Sequence, residues 1–392
     1  MSSSELRASF SLAAIFGLRL FGMFVILPVF ALYAEGRPGW SLTLAGIALG
    51  AYGLTQALLQ VPFGRISDRR GRKPVIYAGL ALLAAGSFVC AAAESPGVVI
   101  AGRILQGAGA ISATVLALAA DLTRESQRTK AMAIIGSTIG AVFAISFVAA
   151  PFLQKAIGVP GIFALTGVLA LGAIAVVRFA VPDEAPAHPR AAKAVPLSAV
   201  LRDPQLLRLN AGIFALHAVL MAVFIVVPSA LARAGAPASE HGWVYLGTVI
   251  AGLVLMLPAV VGPASLRERP VFLASIAMVA LAIALLAARL DSFAWIVAAL
   301  VIFFAAFNVL EARLPALVSR AAPRGARGAA TGVYSSVQFL GMFFGAAAGG
   351  AVAQHAGPAA LLVSCLAVTA AWLAVAWNMG QFVPDSVPAT RI

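Results

Sequence analysis

Apolar residues in this chain run in long blocks, separated by short stretches where Gly, Pro, Arg and Asp collect. A helix rises about 1.5 Å per residue, so roughly 20 apolar residues cross the hydrocarbon core of a bilayer. The blocks predict spans at 10–33, 42–63, 74–93, 97–120, 131–153, 161–181, 206–231, 243–261, 271–289, 293–316, 329–353 and 359–378. Gly and Pro inside these blocks are no obstacle, because neighbouring helices satisfy freed backbone groups. The first block exceeds the roughly 7–15 residues of a signal-peptide apolar core, and no A-x-A site follows it. It reads as a retained helix.

Composition agrees. With 62% hydrophobic residues, 10% charged residues and a mean hydropathy of +1.00, too little polar surface exists to coat a soluble globule of this length. The expected fold class is an all-α membrane protein with 12 transmembrane helices, and an even count puts both termini on one face. Of the 27 Lys and Arg residues, Arg37, Lys155, Arg233 and Arg289 fall on one side and Arg19, Arg103 and Arg313 fall within helices. All the others fall on the face of the termini. The positive-inside rule makes that face cytoplasmic. The net charge of +13 is then topological and held near anionic lipid head groups, so membrane lipids are the expected partners and nucleic acid is not. Cys90 and Cys365 lie singly in apolar helices and offer neither a disulfide framework nor a zinc site.

The longest polar connection carries Pro182, Pro186, Pro189, Pro196 and Pro204 amid mixed charge. It predicts a six-helix bundle at 1–181, a cytoplasmic linker at 182–205 and a second six-helix bundle at 206–392. Beyond the second span stands Gly64-Arg65-Ile66-Ser67-Asp68-Arg69-Arg70-Gly71-Arg72-Lys73-Pro74. In this loop Gly64 would allow close approach to a neighbouring helix, Gly71 a tight turn, and Asp68 could face a helix N-terminus. The segment resembles the G-x-x-x-D-R-x-G-R-K loop of the major facilitator superfamily. Arg103-Ile104-Leu105-Gln106-Gly107 resembles that superfamily's R-x-x-Q-G segment. The drug antiporters' G-x-x-x-G-P stretch is matched only as Ser146-Phe147-Val148-Ala149-Ala150-Pro151, without its glycines. Gly17–Val29, Tyr52–Ala57, Leu216–Met221, Phe307–Pro315 and Gly332–Gly341 are similar to the bacterial YajR-like exporters of the drug:proton antiporter group.

The resemblance implies a major facilitator fold of two six-helix bundles in the bacterial inner membrane. It implies a monomer that exchanges protons for a small-molecule substrate with no cofactor beyond the proton gradient. It also implies a conformational latch of Gly64, Asp68, Gly71, Arg72, Lys73 and Asp121. The extra soluble C-terminal domain of the best-known exporter of this group is not expected, since the chain runs about 14 residues past the last predicted span.

Among the 14 acids, only Glu311 is expected well inside a span, where an ionisable residue marks function or a structural ion pair. His217 titrates near neutrality as a free side chain and is the second proton candidate. Arg103 either accompanies a protonatable group or snorkels from a helix end. Arg19, midway along the first span, suits an anionic substrate group or a counter-ion to Glu311. Polar stripes at helical spacing predict a cavity wall of Tyr52, Gln56, Gln60, Gln106, Asn308, Tyr334 and Gln338, with Phe21, Met23, Phe24, Phe304 and Met342 as apolar lining. Gly341, Gly345 and Gly349 recur every four residues and mark close helix packing.

The function expected from this pattern is proton-coupled export of small hydrophobic or amphipathic compounds by alternating access. Cu(I) uptake is the alternative, because His217 and Met221 share a helix face and imidazole with thioether suits Cu(I). A membrane-embedded enzyme is remote: neither H-E-x-x-H nor G-x-S-x-G occurs, and the missing P-loop argues against an ATP-driven pump.

Overall fold

The computed structural model describes residues 1–183, 197–261, 268–323 and 326–379. Most of the expected linker, residues 184–196, lies outside them. Among the described residues helices are the only regular elements, as lipid demands of a chain whose backbone groups must find partners internally. They are α1 (Ser3–Phe24), α2 (Leu27–Ala34), α3 (Leu42–Arg70), α4 (Arg72–Ala91), α5 (Pro96–Ala108), α6 (Ser112–Asp121), α7 (Arg128–Phe179), the short α8 (Leu197–Leu201), α9 (Pro204–Arg233), α10 (His241–Val261), α11 (Glu268–Ala288), α12 (Phe293–Ala321) and α13 (Arg327–Trp377).

Among the described residues ten apolar helical stretches are long enough to cross a bilayer, and two of them carry two passes each. A straight helix of 52 residues, the length of α7, would extend about 78 Å, far more than a bilayer. Gly158 (φ 67°) interrupts α7 just before Pro160, and Gly357 (φ 87°) interrupts α13 just before Pro358. Both glycines occupy the left-handed half of backbone space, where a side chain is disfavoured. The twelve expected passes are present, and these two breaks lie in the predicted gaps.

Several boundaries differ from expectation. The first helix begins at Ser3, not residue 10, because Ser2 and Glu5 form a reciprocal capping box. Glu5 thus lies in the first turn of that helix, where Arg124 holds it through Nε at 2.9 Å and Nη2 at 3.0 Å. The first pass breaks before Leu27-Pro28, since Pro28 supplies no N–H. The fourth breaks between Ala108 and Ser112. The expected basic loop is nearly all helix: α3 runs to Arg70, α4 starts at Arg72, and Gly71 (φ 90°) alone makes the turn.

The eleventh pass, the first part of α13, is wedged between α9 and α3. On one side a Cβ added to Gly341 or Gly345 would lie 2.4 and 2.2 Å from the carbonyl oxygens of Phe214 and Ala218 on α9, and Gly349 packs on Ala222. On the other side, Gly46, Gly50 and Gly53 of α3 meet the backbone of Ala346, Phe343 and Phe339. Small residues let the backbones meet directly, as the glycine spacing predicts.

The α3–α13 stripe divides the molecule's two faces. From Gly46 to Gly53 the two helices touch, but further along the same stripe a Cβ on Gly64, Gly328 or Gly332 would meet nothing within 4 Å. Gly136 and Gly140 on α7 are equally open, while one and two turns on, Phe143 and Phe147 pack against α9, α10 and α12. The first and last six passes therefore touch on the face away from the termini and stand apart on the basic-loop face. The close-approach role expected of Gly64 is not realised in this arrangement.

Gly345→Ala should lower the unfolding free energy by about 1–3 kcal/mol, because its new methyl meets α9 backbone. Gly136→Ala should be neutral or slightly stabilising, since the site is open and the helix gains propensity. Thermal melts of the two purified variants against wild type check this contrast.

Candidate functional site

Three polar clusters lie in or beside the space between the halves. The first is at the basic-loop face. Arg72 meets Asp68 at 2.5 Å and Asp121 at 3.2 Å, and its Nη1 donates to Ser67 Oγ at 2.7 Å. Lys73 donates to the Val181 carbonyl at 2.8 Å and to Asp183 at 2.7 Å. Asp183 lies outside the membrane spans, and the hydrogen bond from Lys73 holds its carboxyl below the usual range. The expected charge cluster is assembled: Asp68, at the end of α3, pairs with the Arg72 side chain at the start of α4.

The second cluster fills the middle of the first six passes. Arg19 is 1% exposed. Its Nε donates to the Gly109 carbonyl at 3.2 Å, its Nη1 to Ser112 Oγ, and its Nη2 to Gln56 Oε1. At the break in the fourth pass the Gly109 carbonyl accepts from the Ile111 N–H as well as from Arg19. Gln56 Nε2 then donates to Gln60 Oε1 at 3.0 Å. Arg103, 2% exposed, donates to the carbonyls of Ala48 and Leu49 on α3 and to Gln106 Oε1. Gln106 continues to Ser87 Oγ at 2.7 Å. Arg103 therefore does not snorkel; it stitches the fourth pass to the second. The Tyr52 ring is flanked by both guanidinium groups, at 5.9 Å from Arg19 and 4.9 Å from Arg103.

The third cluster is in the last six passes. Gln338 Nε2 donates to Glu311 Oε1 at 3.2 Å and faces His217 Nε2 at 2.9 Å, while His217 Nε2 is 3.8 Å from Glu311 Oε2. The other His217 nitrogen faces the Ile213 carbonyl at 3.3 Å. Three helices, α9, α12 and α13, thus bring the two titratable candidates onto one amide. Glu311 Oε2 and the Tyr334 hydroxyl nearby have no hydrogen-bond partner. Arg313, two residues from Glu311, donates instead to the Ala259 carbonyl at 2.6 Å. Arg19 is no counter-ion to Glu311: its polar partners all belong to the first four passes. Both His217 nitrogens are engaged, so a Cu(I) site with Met221 would have to break one of these contacts.

Above the third cluster lies an aromatic plug that the sequence reading did not assemble. Phe143 stacks on Phe307 at 5.2 Å and meets Phe24 edge-on at 5.1 Å. Phe147 meets Phe224 at 4.7 Å, Phe304 at 5.8 Å and Tyr245 at 6.2 Å. The plug joins α1, α7, α9, α10 and α12 across the two halves. Phe143/Phe147 and Phe303/Phe307 are i, i+4 pairs, a signal available in the sequence. Among the expected cavity residues only Phe21, Asn308 and Gln338 are partly exposed. Met23, Phe24, Tyr52, Gln56, Gln60, Gln106, Phe304, Tyr334 and Met342 are buried in packing.

A double-mutant cycle of Arg72→Ala with Asp121→Ala should show a coupling of about 1 kcal/mol in unfolding free energy. The Arg72–Asp68 cycle should give only a few tenths, because Asp68 is 62% exposed and solvent screens it. Equal couplings would contradict this geometry.

The family model described as Major Facilitator Superfamily matches residues 12–266. Over its whole length the chain is 41% identical to the Escherichia coli K12 protein named Inner membrane transport protein YajR, spanning 87% of that protein. It is 25% identical to Multidrug resistance protein MdtH of Aeromonas hydrophila, over 86% of this chain and 85% of the relative. Among solved structures, its fold resembles the human organic anion transporter MFSD10 with a TM-score of 0.71, at 17% identity over 96% of this chain and 100% of that one. It resembles the nucleoside transporter NupG with a TM-score of 0.75, at 12% identity over 95% and 99%.

Proposed function

The chain belongs to the major facilitator superfamily and is a transporter rather than an enzyme, and on that premise we propose that it exports small amphipathic compounds in exchange for protons by alternating access. Its place is the bacterial inner membrane, the location named for its YajR relative, with both termini in the cytoplasm as the basic loops require. The units that move are the bundles 1–181 and 206–392, joined by the linker at 182–205.

The observation that carries this reading is the split stripe between α3 and α13. One end of it is closed on backbone contacts and the other is open. A pair of rigid bundles that can rock about such a stripe exposes a midplane site to each side in turn. Gly64 lies on the open end of the stripe and carries no side chain, so α3 can close on α13 there once the opposite end parts. Asp68, Arg72 and Asp121 sit beside that contact and hold the ends of α3, α4 and α6 in register, which is the latch role.

Proton coupling is assigned to Glu311, with His217 and Gln338 as its partners. A carboxylate inside a membrane marks a proton or substrate pathway. Glu311 has one oxygen unpartnered and the other on an amide that also reaches an imidazole. A proton arriving there changes which of the three groups donates, and with it the contact between α9, α12 and α13. Similarity to MdtH, named a multidrug resistance protein, supports export of amphipathic compounds.

Purified protein in detergent should release protons when challenged with an amphipathic compound, and Glu311→Gln should abolish the release. Cationic dyes, sugars, lysolipids and Cu(I) are tested in turn. Release that persists in Glu311→Gln moves the proton carrier to another residue, and no release with any compound removes proton antiport. Asp68→Asn should melt as wild type yet lose most of its transport in proteoliposomes; full transport would refute the latch.

A further inference from the structure

The two buried arginines of the second cluster have their hydrogen bonds met and their charge unmet. Every acceptor they touch is neutral: the carbonyls of Gly109, Ala48 and Leu49, the Ser112 hydroxyl, and the Gln56 and Gln106 amides. Among the described residues no carboxylate lies within ion-pair distance of either guanidinium. A buried charge is ordinarily paired, since removing it from water is expensive and only an opposite charge offsets the loss well. Helix packing alone would be served by neutral donors at both sites.

The two arginines differ in their surroundings. Arg103 is enclosed by α3 backbone, and its chain of contacts ends inward at Ser87. Arg19 is the inner end of a polar ladder. Its Gln56 partner leads to Gln60, which is buried one turn short of Gly64, where the halves stand apart. A guanidinium has five N–H donors in a fork that matches carboxylate or phosphate, and Arg19 uses three of them. Beside it, the fully buried Tyr52 hydroxyl has no hydrogen-bond partner. A few residues further along the first pass, Phe24 begins the aromatic plug.

Resting on the transporter reading above, we infer that Arg19 is the docking point for an oxyanion, a carboxylate or phosphate head group on the transported amphiphile. Gln60 and Gln56 guide the head group inward, Tyr52 supplies an extra donor, and the apolar part of the compound lies against Phe24 and Phe143. The missing counter-charge is the substrate itself. Empty, the site holds an uncompensated cation; loaded, it holds an ion pair whose formation draws the two halves onto the compound.

The test is equilibrium binding to the full chain in phosphatidylcholine nanodiscs, with probes of one ring system and different charge: 2-naphthoate, 2-naphthyl phosphate, 2-naphthol and 2-naphthylmethylammonium. The anionic probes should bind at least about tenfold tighter than the neutral and cationic ones. Arg19→Gln should remove that preference, and Arg19→Lys should keep part of it. Thermal melts establish that both variants are folded, and Gln60→Leu, remote from the fourth-pass break, should weaken anion binding without removing it. Tighter binding of the cation, or a folded Arg19→Gln that retains the anion preference, overturns the inference. Competition by phosphatidylglycerol added to the discs would support the oxyanion site and assign its head group to a lipid. Flux of the same probes in proteoliposomes separates this from the transport reading. Anion binding without flux leaves the site and removes the transport role, whereas flux without anion preference does the reverse.

Discussion

Lipid offers no hydrogen bonds, so the backbone has to satisfy itself wherever the chain lies within the bilayer. Most of this structure follows from that single demand. Regular helix meets it over nearly the whole described chain, and attention therefore falls on the places where helix fails. Gly158 and Gly357 break α7 and α13 between passes, where the chain must turn back. The break at Gly109 to Ile111 is different, because it interrupts a pass. There Ile111 donates to the Gly109 carbonyl, and Arg19 reaches from the first pass to donate to the same oxygen. The buried cation and the irregular backbone are thus parts of one arrangement, with two donors on one carbonyl.

The same demand explains why small residues rather than interlocking side chains join the helices. Packing in lipid gains nothing from hiding apolar surface, so it relies on close backbone contact. Within the second bundle, Gly341 and Gly345 press on α9; between the bundles, Gly46, Gly50 and Gly53 press on the other side of the same pass. The local geometry is alike, but only the second set is flanked by a stretch of the same stripe left open. Contacts without interdigitated side chains can part without dragging rotamers through one another. A hinge surface and a permanent joint are therefore built from one kind of residue, and position along the stripe decides which is which.

The number of passes, their order and the stripe of Gly341, Gly345 and Gly349 were legible in the sequence because each is written in local pattern: block length, Gly and Pro between blocks, and a period of four; the matching stripe of Gly46, Gly50 and Gly53 was not read there. The meeting of Glu311, His217 and Gln338 was legible only in part. Each was a candidate on its own helix, but nothing in a one-dimensional pattern says that α9, α12 and α13 converge there. The aromatic plug was missed for the same reason, since Phe143, Phe147 and Phe224 look like ordinary lipid-facing residues until the bundles are brought together. The close approach read for Gly64 is not made in this arrangement; spacing alone cannot distinguish a contact that is made from one that is available. The break in the fourth pass was missed because Gly107 to Ile111 is as apolar as the helix around it.

The charge distribution gives the two bundles different tasks. In the first, Arg19 and Arg103 place fixed positive charge near the midplane with neutral partners only. In the second, Glu311 and His217 place groups whose charge can change, sharing one amide. A guanidinium has five N–H donors and no acceptor, so on the proposed reading the first bundle is suited to hold a ligand. A carboxylate and an imidazole can exchange protons, so on the same reading the second is suited to keep account of them. The plug that links Phe24 and Phe143 in one bundle to Phe307 in the other lies between these two groups, and Phe307 also contacts the His217 ring at 5.7 Å. On the proposed reading, a compound that parts the plug disturbs the aromatic wall beside His217 and Glu311, and ligand and proton sense one another by that route.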